Sequence, residues 1–171
     1  MPAIAASLLA MLADPTGPDP FLSFSRDPAT DTTRTVVEVG ILRTDGRNAD
    51  YWLKRTQFTN GTEEVSESWT DSENCPAARS AVRSAVDLTP PQVSVPGVDM
   101  VEDGSYRITL DGVQYELTSS AHYDSNIGSE IRFTSNVGTP LSEWVEASLI
   151  AMAECWGDAP PAGYPGPPGL F

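Results

Sequence analysis

Two cysteines, Cys75 and Cys155, constrain the fold of this chain more than any other feature, because each lies at one end of a predicted helix. We expect a disulfide between them that ties the start of the first helix to the end of the last. Such a bond closes a loop of about 80 residues, for which chain entropy predicts a stabilisation of roughly 4 to 5 kcal/mol. The alternative is a pair of buried free thiols, which a reducing cytosol would favour.

An apolar run of ten residues, Ile4 to Ala13, comes before the first charged residue of the chain. It is too short to span a bilayer, which takes roughly 20 residues, so we expect no stable membrane insertion. The run matches the apolar region of a secretory signal, with the small residue Ala13 at the cleavage point. We therefore predict residues 1–13 as a signal peptide and the protein as periplasmic or secreted. The alternative is an N-terminal helix docked on the domain.

Proline and glycine mark the boundaries of the folded part. Residues 14–20 contain three prolines and are predicted to be a linker. Residues 159–171 contain five prolines and three glycines, which favours an extended and flexible tail. The segment between them, residues 21–158, has the size of a single domain.

Strand patterns fill the first half of this domain. Phe21 to Ser25 and Thr33 to Arg43 alternate between apolar and polar residues, and the second is rich in β-branched side chains. Two further predicted strands, Tyr51 to Thr59 and Thr62 to Trp69, flank an Asn60-Gly61 turn typical of a tight hairpin. The second strand of that hairpin carries Glu63, Glu64 and Glu67, which indicates an edge strand. We expect Trp52 and Trp69 to pack across this hairpin, although one of them could instead be an exposed binding anchor.

A second group of strands follows the first predicted helix. Tyr106 to Leu110 and Val113 to Leu117 alternate on either side of Asp111-Gly112, which predicts another hairpin. Glu130 to Ser135 alternates again through Ile131 and Phe133.

Two segments have the apolar periodicity of helices. In the first, Pro76 stands in the first turn and an apolar stripe comprises Ala78, Ala81, Val82, Ala85 and Val86. The helix is predicted to end near Leu88, before Pro90-Pro91. The second helix begins at Thr139-Pro140, a capping residue followed by proline. Its apolar stripe comprises Leu141, Trp144, Val145, Leu149, Met152 and Trp156.

The order of strands, helix, strands, helix predicts an α+β fold. Tight turns join antiparallel strands, and helices with one apolar stripe each cover one face of a sheet. We expect a single antiparallel sheet of about six to seven strands with two amphipathic helices on one face.

The charge of the chain restricts its partners. With 24 acidic residues against 10 basic ones, the net charge is -14. A field of this sign repels nucleic acid and attracts a cationic protein, although it also serves solubility.

Residues able to carry chemistry are few. His122 is the only histidine and lies near Ser120 and Asp124, residue types of a hydrolase triad without the nucleophile-elbow motif. Asp99, Glu102 and Asp103 cluster without calcium-loop spacing. Paired carboxylates such as Glu63 and Glu67 lie on a predicted solvated face. We therefore predict no cofactor, no metal site and no catalytic residue, and assign only Cys75 and Cys155 a role, as a disulfide.

Three functions remain open at this point. The first is a small acidic exported domain that is non-catalytic and binds a protein, for instance an inhibitor of a cationic enzyme. The second is a hydrolase-type enzyme with a site around His122. The third is a structural accessory of the cell envelope.

Overall fold

The computed structural model describes residues 19–29, 33–45, 48–59, 65–92, 112–122 and 128–166. In these residues the chain forms six strands and two α-helices. In chain order they are β1 (Leu22–Pro28), β2 (Thr33–Asp45), β3 (Asn48–Thr59), β4 (Val65–Asp71), α1 (Pro76–Ser84), β5 (Val113–His122), β6 (Gly128–Ser135) and α2 (Pro140–Ala151). A 3₁₀ turn follows each helix, Ala85–Asp87 after α1 and Ala153–Cys155 shortly after α2.

All six strands belong to one antiparallel sheet with the order β4-β3-β2-β1-β5-β6. This arrangement confirms the predicted α+β fold class. The short strand β1 lies in the interior of the sheet, between β2 and the sequence-distant β5. β4 lies at one edge, as its glutamates predicted, and β6 lies at the other.

Apolar rows cross the sheet on the face that the helices cover. In one row Phe24 is paired with Val37 on one side and with Leu117 on the other, and Leu117 is paired with Phe133 of β6. α1 packs on β3 and β4, whereas α2 packs on β1, β5 and β6. Because both helices cover this face, Phe24, Val37 and Leu117 are buried in the core.

The predicted disulfide is present and joins the two helical regions. Cys75 precedes α1 and Cys155 ends the turn after α2, and their Cα atoms are 5.7 Å apart. Cys75 is fully buried in the core. The bond therefore ties the helix over β3 and β4 to the chain that leaves the helix over β5 and β6.

Local hydrogen bonds explain where the helices begin. The carboxylate of Asp71, a buried side chain, accepts hydrogen bonds from the backbone N–H groups of Glu73 and Asn74 in the turn before α1. The predicted cap of α2 is confirmed, because the Thr139 hydroxyl accepts from the Ser142 N–H and the Ser142 hydroxyl accepts from the Thr139 N–H. Each reciprocal bond satisfies a backbone donor that would otherwise lack a partner.

One residue of the predicted α1 stripe was placed wrongly. Ala78, Ala81 and Val82 are buried, but Val86 is 86 % exposed. The α-helix ends at Ser84 and continues as the 3₁₀ turn Ala85–Asp87. A 3₁₀ turn has three residues per turn instead of 3.6, so the apolar spacing no longer keeps Val86 on the core side.

The predicted hairpin around Asp111-Gly112 also needs correction in its described half. From Tyr115 to Ser119, β5 is paired with β1 on one side and with β6 on the other. Both edges are therefore occupied, and β5 has no room there for a hairpin partner. The other predicted strand, Tyr106 to Leu110, lies outside the described residues, as do the Asn60-Gly61 turn and residues 1–13.

The C-terminal segment crosses to the sheet face opposite the helices. Gly157 and Trp69 exchange two backbone hydrogen bonds, of 2.7 and 2.8 Å, so this segment pairs with the edge strand β4. Farther on, the Tyr164 ring contacts both Trp52 and Trp69, with ring centroids 5.2 and 4.7 Å apart. Trp52 is buried, which confirms the packing predicted for it. The flexibility predicted for residues 159–171 stays a prediction.

Candidate functional site

An apolar groove lies at the β6 end of the helix-covered face. It has a volume of about 650 Å³, and its lining includes Val86, Leu88 and Pro90 on one side and Ile131 and Phe133 of β6 on the other. These five residues define what we call the β6 groove. A smaller cavity of about 230 Å³ shares Leu88, Pro90 and Phe133 with it and reaches the start of α2.

The sequence builds this groove from two local features. Pro90 and Pro91 cannot continue a helix, so the chain leaves α1 as a short extended segment beside the sheet. β6 alternates in the usual strand manner, so Ile131 and Phe133 point to the same side as the helices. Val86 and Ile131 stay 86 % and 43 % exposed, which makes the groove an accessible apolar surface.

The two edges of the sheet differ in their protection. The edge of β4 is paired at Trp69 with Gly157, whereas the outer edge of β6 has no strand partner within the described part of the chain. Six of the eight residues of β6 are exposed. An unpaired edge presents a row of backbone N–H and C=O groups to solvent and is a template for another strand.

The elements around the groove carry more negative than positive charge. β5, β6, the turn after α1 and the first turn of α2 contain four carboxylates, namely Glu116, Glu130, Asp87 and Glu143. The cation in these elements is Arg132, which donates a hydrogen bond of 2.7 Å to Glu116. Arg83, in the last turn of α1, is a further cation in a neighbouring element. The balance at this end of the sheet therefore remains acidic.

Asp50 is the centre of a polar cluster away from the groove, in the half of the sheet that α1 covers. Its carboxylate accepts hydrogen bonds from Arg43, at 2.5 Å, and from Arg79 of α1. The hydrogen bond from Arg43, followed by that from Arg79, holds the pKa of the Asp50 carboxyl below its usual range. Arg79 also donates to the carbonyl oxygen of Ala49 and to the Ser72 hydroxyl, both at 3.2 Å. The cluster thus holds α1 against β3.

A second polar cluster joins α2 to the middle of the sheet. The Tyr115 hydroxyl donates a hydrogen bond of 2.6 Å to Glu146, and Arg26 donates one of 2.9 Å to the same carboxylate oxygen. Burial, together with the hydrogen bond to the Glu146 carboxylate, raises the pKa of Tyr115 to about 12. A phenol with this pKa stays protonated at neutral pH, so its role in the cluster is that of a hydrogen-bond donor.

His122, the candidate for hydrolysis, lies at the end of β5 and is exposed. Its register partner is Gly128, and among the described residues it forms no hydrogen bond with a carboxylate or hydroxyl. Tyr123 and Asp124 lie outside the described residues. The described geometry around His122 therefore supplies no nucleophile and no orienting group of the kind a triad needs.

The other candidates from the sequence contribute no described site. Asp99, Glu102 and Asp103 lie outside the described residues, and so does Glu63. Glu67 forms an ion pair of 2.6 Å with Lys54, whose side chain also lies over the Trp69 ring. Within the described segments there is no group of three or more histidine, cysteine, aspartate or glutamate residues that could hold a metal.

Comparison with protein-family models, with curated proteins and with solved structures gave no match to this chain. In the described ranges, no helix has the length and apolar character needed to cross a membrane.

Proposed function

We propose that this chain is an exported, non-catalytic domain that binds a cationic protein partner. The observation that carries the proposal is the β6 groove, an accessible apolar groove with a volume of about 650 Å³ in a strongly acidic chain. Protein-binding surfaces combine an apolar centre with a polar rim, and charge of one sign selects partners of the other. Val86 is central to this argument. Its aliphatic side chain is 86 % exposed, and covering it with a partner removes apolar surface from water, which favours binding.

Export is the second part of the proposal. Its support is the Cys75–Cys155 disulfide, since such bonds persist in oxidising compartments such as the periplasm or the extracellular space. Intact mass of the protein from the cells that make it tests this part. A mass lacking residues 1–13, with both thiols blocked until reduction, is expected, whereas a full-length mass with two free thiols would overturn it.

The binding part is tested by capture from an extract of the same cells, with two matched variants of the immobilised protein. Val86→Lys places a cation in the groove, and Ile150→Lys makes the same change at an α2 residue that is 73 % exposed and does not line the groove. Because both side chains are exposed, both variants are expected to keep the wild-type melting temperature.

The wild type and Ile150→Lys are expected to retain the same basic protein, with binding that weakens as salt rises. Val86→Lys is expected to lose it by about tenfold or more, because a cation then meets a cationic partner in an apolar groove. Retention of nothing at low salt, or equal retention by the two variants, would overturn the binding proposal. An envelope-accessory role would appear as co-purification with envelope material that Val86→Lys does not change.

A further inference from the structure

We infer that β6 is a docking strand: the partner supplies an extended segment that pairs with the outer edge of β6 and places alternate apolar side chains in the β6 groove. This inference rests on the proposed function and adds the mode of binding and the chemistry of the bound segment. It follows from how the apolar rows of the sheet end.

Two rows of side chains run from β2 across the helix-covered face to β6, and they are apolar except for Ser119. The row through Phe24 and Leu117 ends at Phe133, and the neighbouring row through Leu22 and Ser119 ends at Ile131. A seventh strand would lie about 4.8 Å beyond β6, so its side chains in these two rows would extend over the groove. There they would meet Val86, Leu88 and Pro90, which form the opposite wall.

The backbone of β6 offers the complementary half of the contact. Its outer edge has no strand partner in the described residues, whereas the edge at the other end of the sheet is paired with Gly157. In strand addition, main-chain hydrogen bonds supply affinity and pockets for alternate side chains supply specificity. At β6 both are side by side, because the apolar lining and the edge without a partner in the described part of the chain belong to the same strand.

Charge decides between a foreign segment and a second copy of this chain. Antiparallel pairing of two β6 strands would bring two chains of net charge -14 together. On the face of the sheet opposite the groove, Glu130 lies two residues from Arg132, which is hydrogen-bonded to Glu116, and Asp87 follows Val86 in the chain. The net charge of the two chains opposes such a pair, whereas a segment that alternates apolar residues with lysine or arginine supplies apolar side chains for the groove and a cation for Glu130.

The test uses a display library of short random peptides selected on the wild-type protein and counter-selected on Val86→Lys. Enriched peptides are expected to alternate apolar and basic residues with a period of two, the period of a strand. Backbone N-methylation at every second position of a selected peptide is expected to weaken binding about tenfold, because it removes a ladder hydrogen bond. N-methylation at the intervening positions is expected to have little effect.

Hydrogen exchange of the protein's own amides supplies the second measurement. Alternate amides between Ser129 and Ser135 point to the outer edge, and they are expected to become protected when the selected peptide is added. The edge strand β4 is the internal control, because the inference predicts no change in its amides.

Each other outcome overturns the inference in a recognisable way. One such outcome is a set of peptides whose apolar residues recur every three to four positions. If these peptides need Val86 for binding but leave the β6 amides unprotected, the groove binds a helix. That result would agree with the proposed function and contradict strand addition. Protection of β6 without peptide, in a species with twice the monomer mass, would identify a second copy as the occupant. Failure to enrich any peptide that prefers the wild type to Val86→Lys would also overturn the inference, while the capture experiment decides the proposed function separately.

Discussion

Trp52 lies across Gly40 on the sheet face opposite the helices, with its indole ring in the space that a Cβ atom at position 40 would occupy. The two residues are register partners on neighbouring strands, β2 and β3. Trp52 is 3 % exposed, so its ring cannot move outward without leaving its neighbours Trp69 and Tyr164. The absence of a side chain at Gly40 therefore leaves the space that the Trp52 ring of this aromatic cluster occupies.

Substitution of Gly40 by alanine is expected to destabilise the fold. The new methyl group would overlap the Trp52 ring, and overpacking of this kind costs about 1 to 3 kcal/mol. Gly128→Ala is the matched control, because a Cβ atom at that position has no neighbour within 4 Å. Urea denaturation should show a lower free energy of unfolding for Gly40→Ala and a change of at most about 0.5 kcal/mol for Gly128→Ala. Equal effects would mean that the Trp52 contact does not decide the outcome.

Loss of the disulfide is expected to be the largest single effect on stability. The bond separates its partners by 80 residues in sequence, and replacing both Cys75 and Cys155 by alanine should lower the free energy of unfolding by roughly 4 kcal/mol. Urea denaturation with and without reductant measures this effect. Reductant should shift the unfolding midpoint of the wild type but not that of the double variant. A wild type whose thiols are reduced and whose midpoint does not move would contradict the prediction.

The sequence predicted the elements of the fold because each has a local signature. Alternation indicated β2, β3 and β6, and proline with a capping residue marked the start of α2. The disulfide could be predicted because each cysteine lay at a helix end. These signals are local, so they carry no information on which sequence-distant strands are neighbours.

The position of β1 between β2 and β5 is the main feature that the sequence did not indicate. β1 has only seven residues, and the hydrogen bonds that it forms with β5 join residues about 90 positions apart along the chain. The hairpin prediction at Asp111-Gly112 failed in its described half for the same reason, because a strong turn signal cannot show that β1 and β6 already occupy both edges of β5.

The sequence did not predict the β6 groove, because the groove forms where the rows of core side chains end at the edge strand β6. Ile131 and Phe133 were predicted as one face of a strand, but nothing local marks β6 as an edge. Val86 fits the α1 stripe by spacing and leaves it only because the helix tightens into a 3₁₀ turn. The Leu88-Thr89-Pro90-Pro91 segment was the available signal, since it ends a helix with an apolar residue and two prolines.

The C-terminal segment is expected to shield the two tryptophans of the sheet face opposite the helices. Tyr164→Ala removes the ring that contacts Trp52 and Trp69, so acrylamide should quench tryptophan fluorescence more strongly and the emission should shift to longer wavelength. Tyr164→Phe keeps the ring and should behave like the wild type. If Tyr164→Ala leaves quenching unchanged, the segment does not cover the tryptophans in solution and the predicted flexibility of the tail gains support.

The ion pairs of Asp50 should make stability depend on acid pH. Arg43, followed by Arg79, lowers the pKa of Asp50 in the folded protein below the value of about 4 expected in the unfolded chain. The stabilisation is therefore fully present above pH ~4 and is lost as pH falls through the lower, folded pKa. The wild type should exceed Asp50→Asn in free energy of unfolding at pH 7, and the difference should shrink below pH ~4. A difference that stays constant down to pH ~2 would contradict this assignment.

Tyr115 should produce the opposite dependence, at alkaline pH. Its pKa is about 12 in the folded protein, because of burial and then of the hydrogen bond to Glu146, against about 10 in an unfolded chain. Above pH ~10 the unfolded chain loses this proton while the folded protein keeps it, so the stabilisation is present below pH ~10 and falls as pH rises towards 12.

Absorbance of tyrosinate near 295 nm, recorded for the wild type and for Tyr115→Phe, isolates this group from the other tyrosines. The difference between the two titrations should rise near pH 12 and stay flat near pH 10.

In urea denaturation, Tyr115→Phe should be less stable than the wild type by about 1 to 2 kcal/mol at pH 7, because Glu146 then keeps Arg26 as a donor but loses the phenol. That deficit should narrow between pH ~10 and pH ~12, because the variant has no phenol to ionise there. A difference titration centred near pH 10 would mean that Glu146 does not hold the Tyr115 phenol, and would leave Arg26 as the β-sheet donor to Glu146.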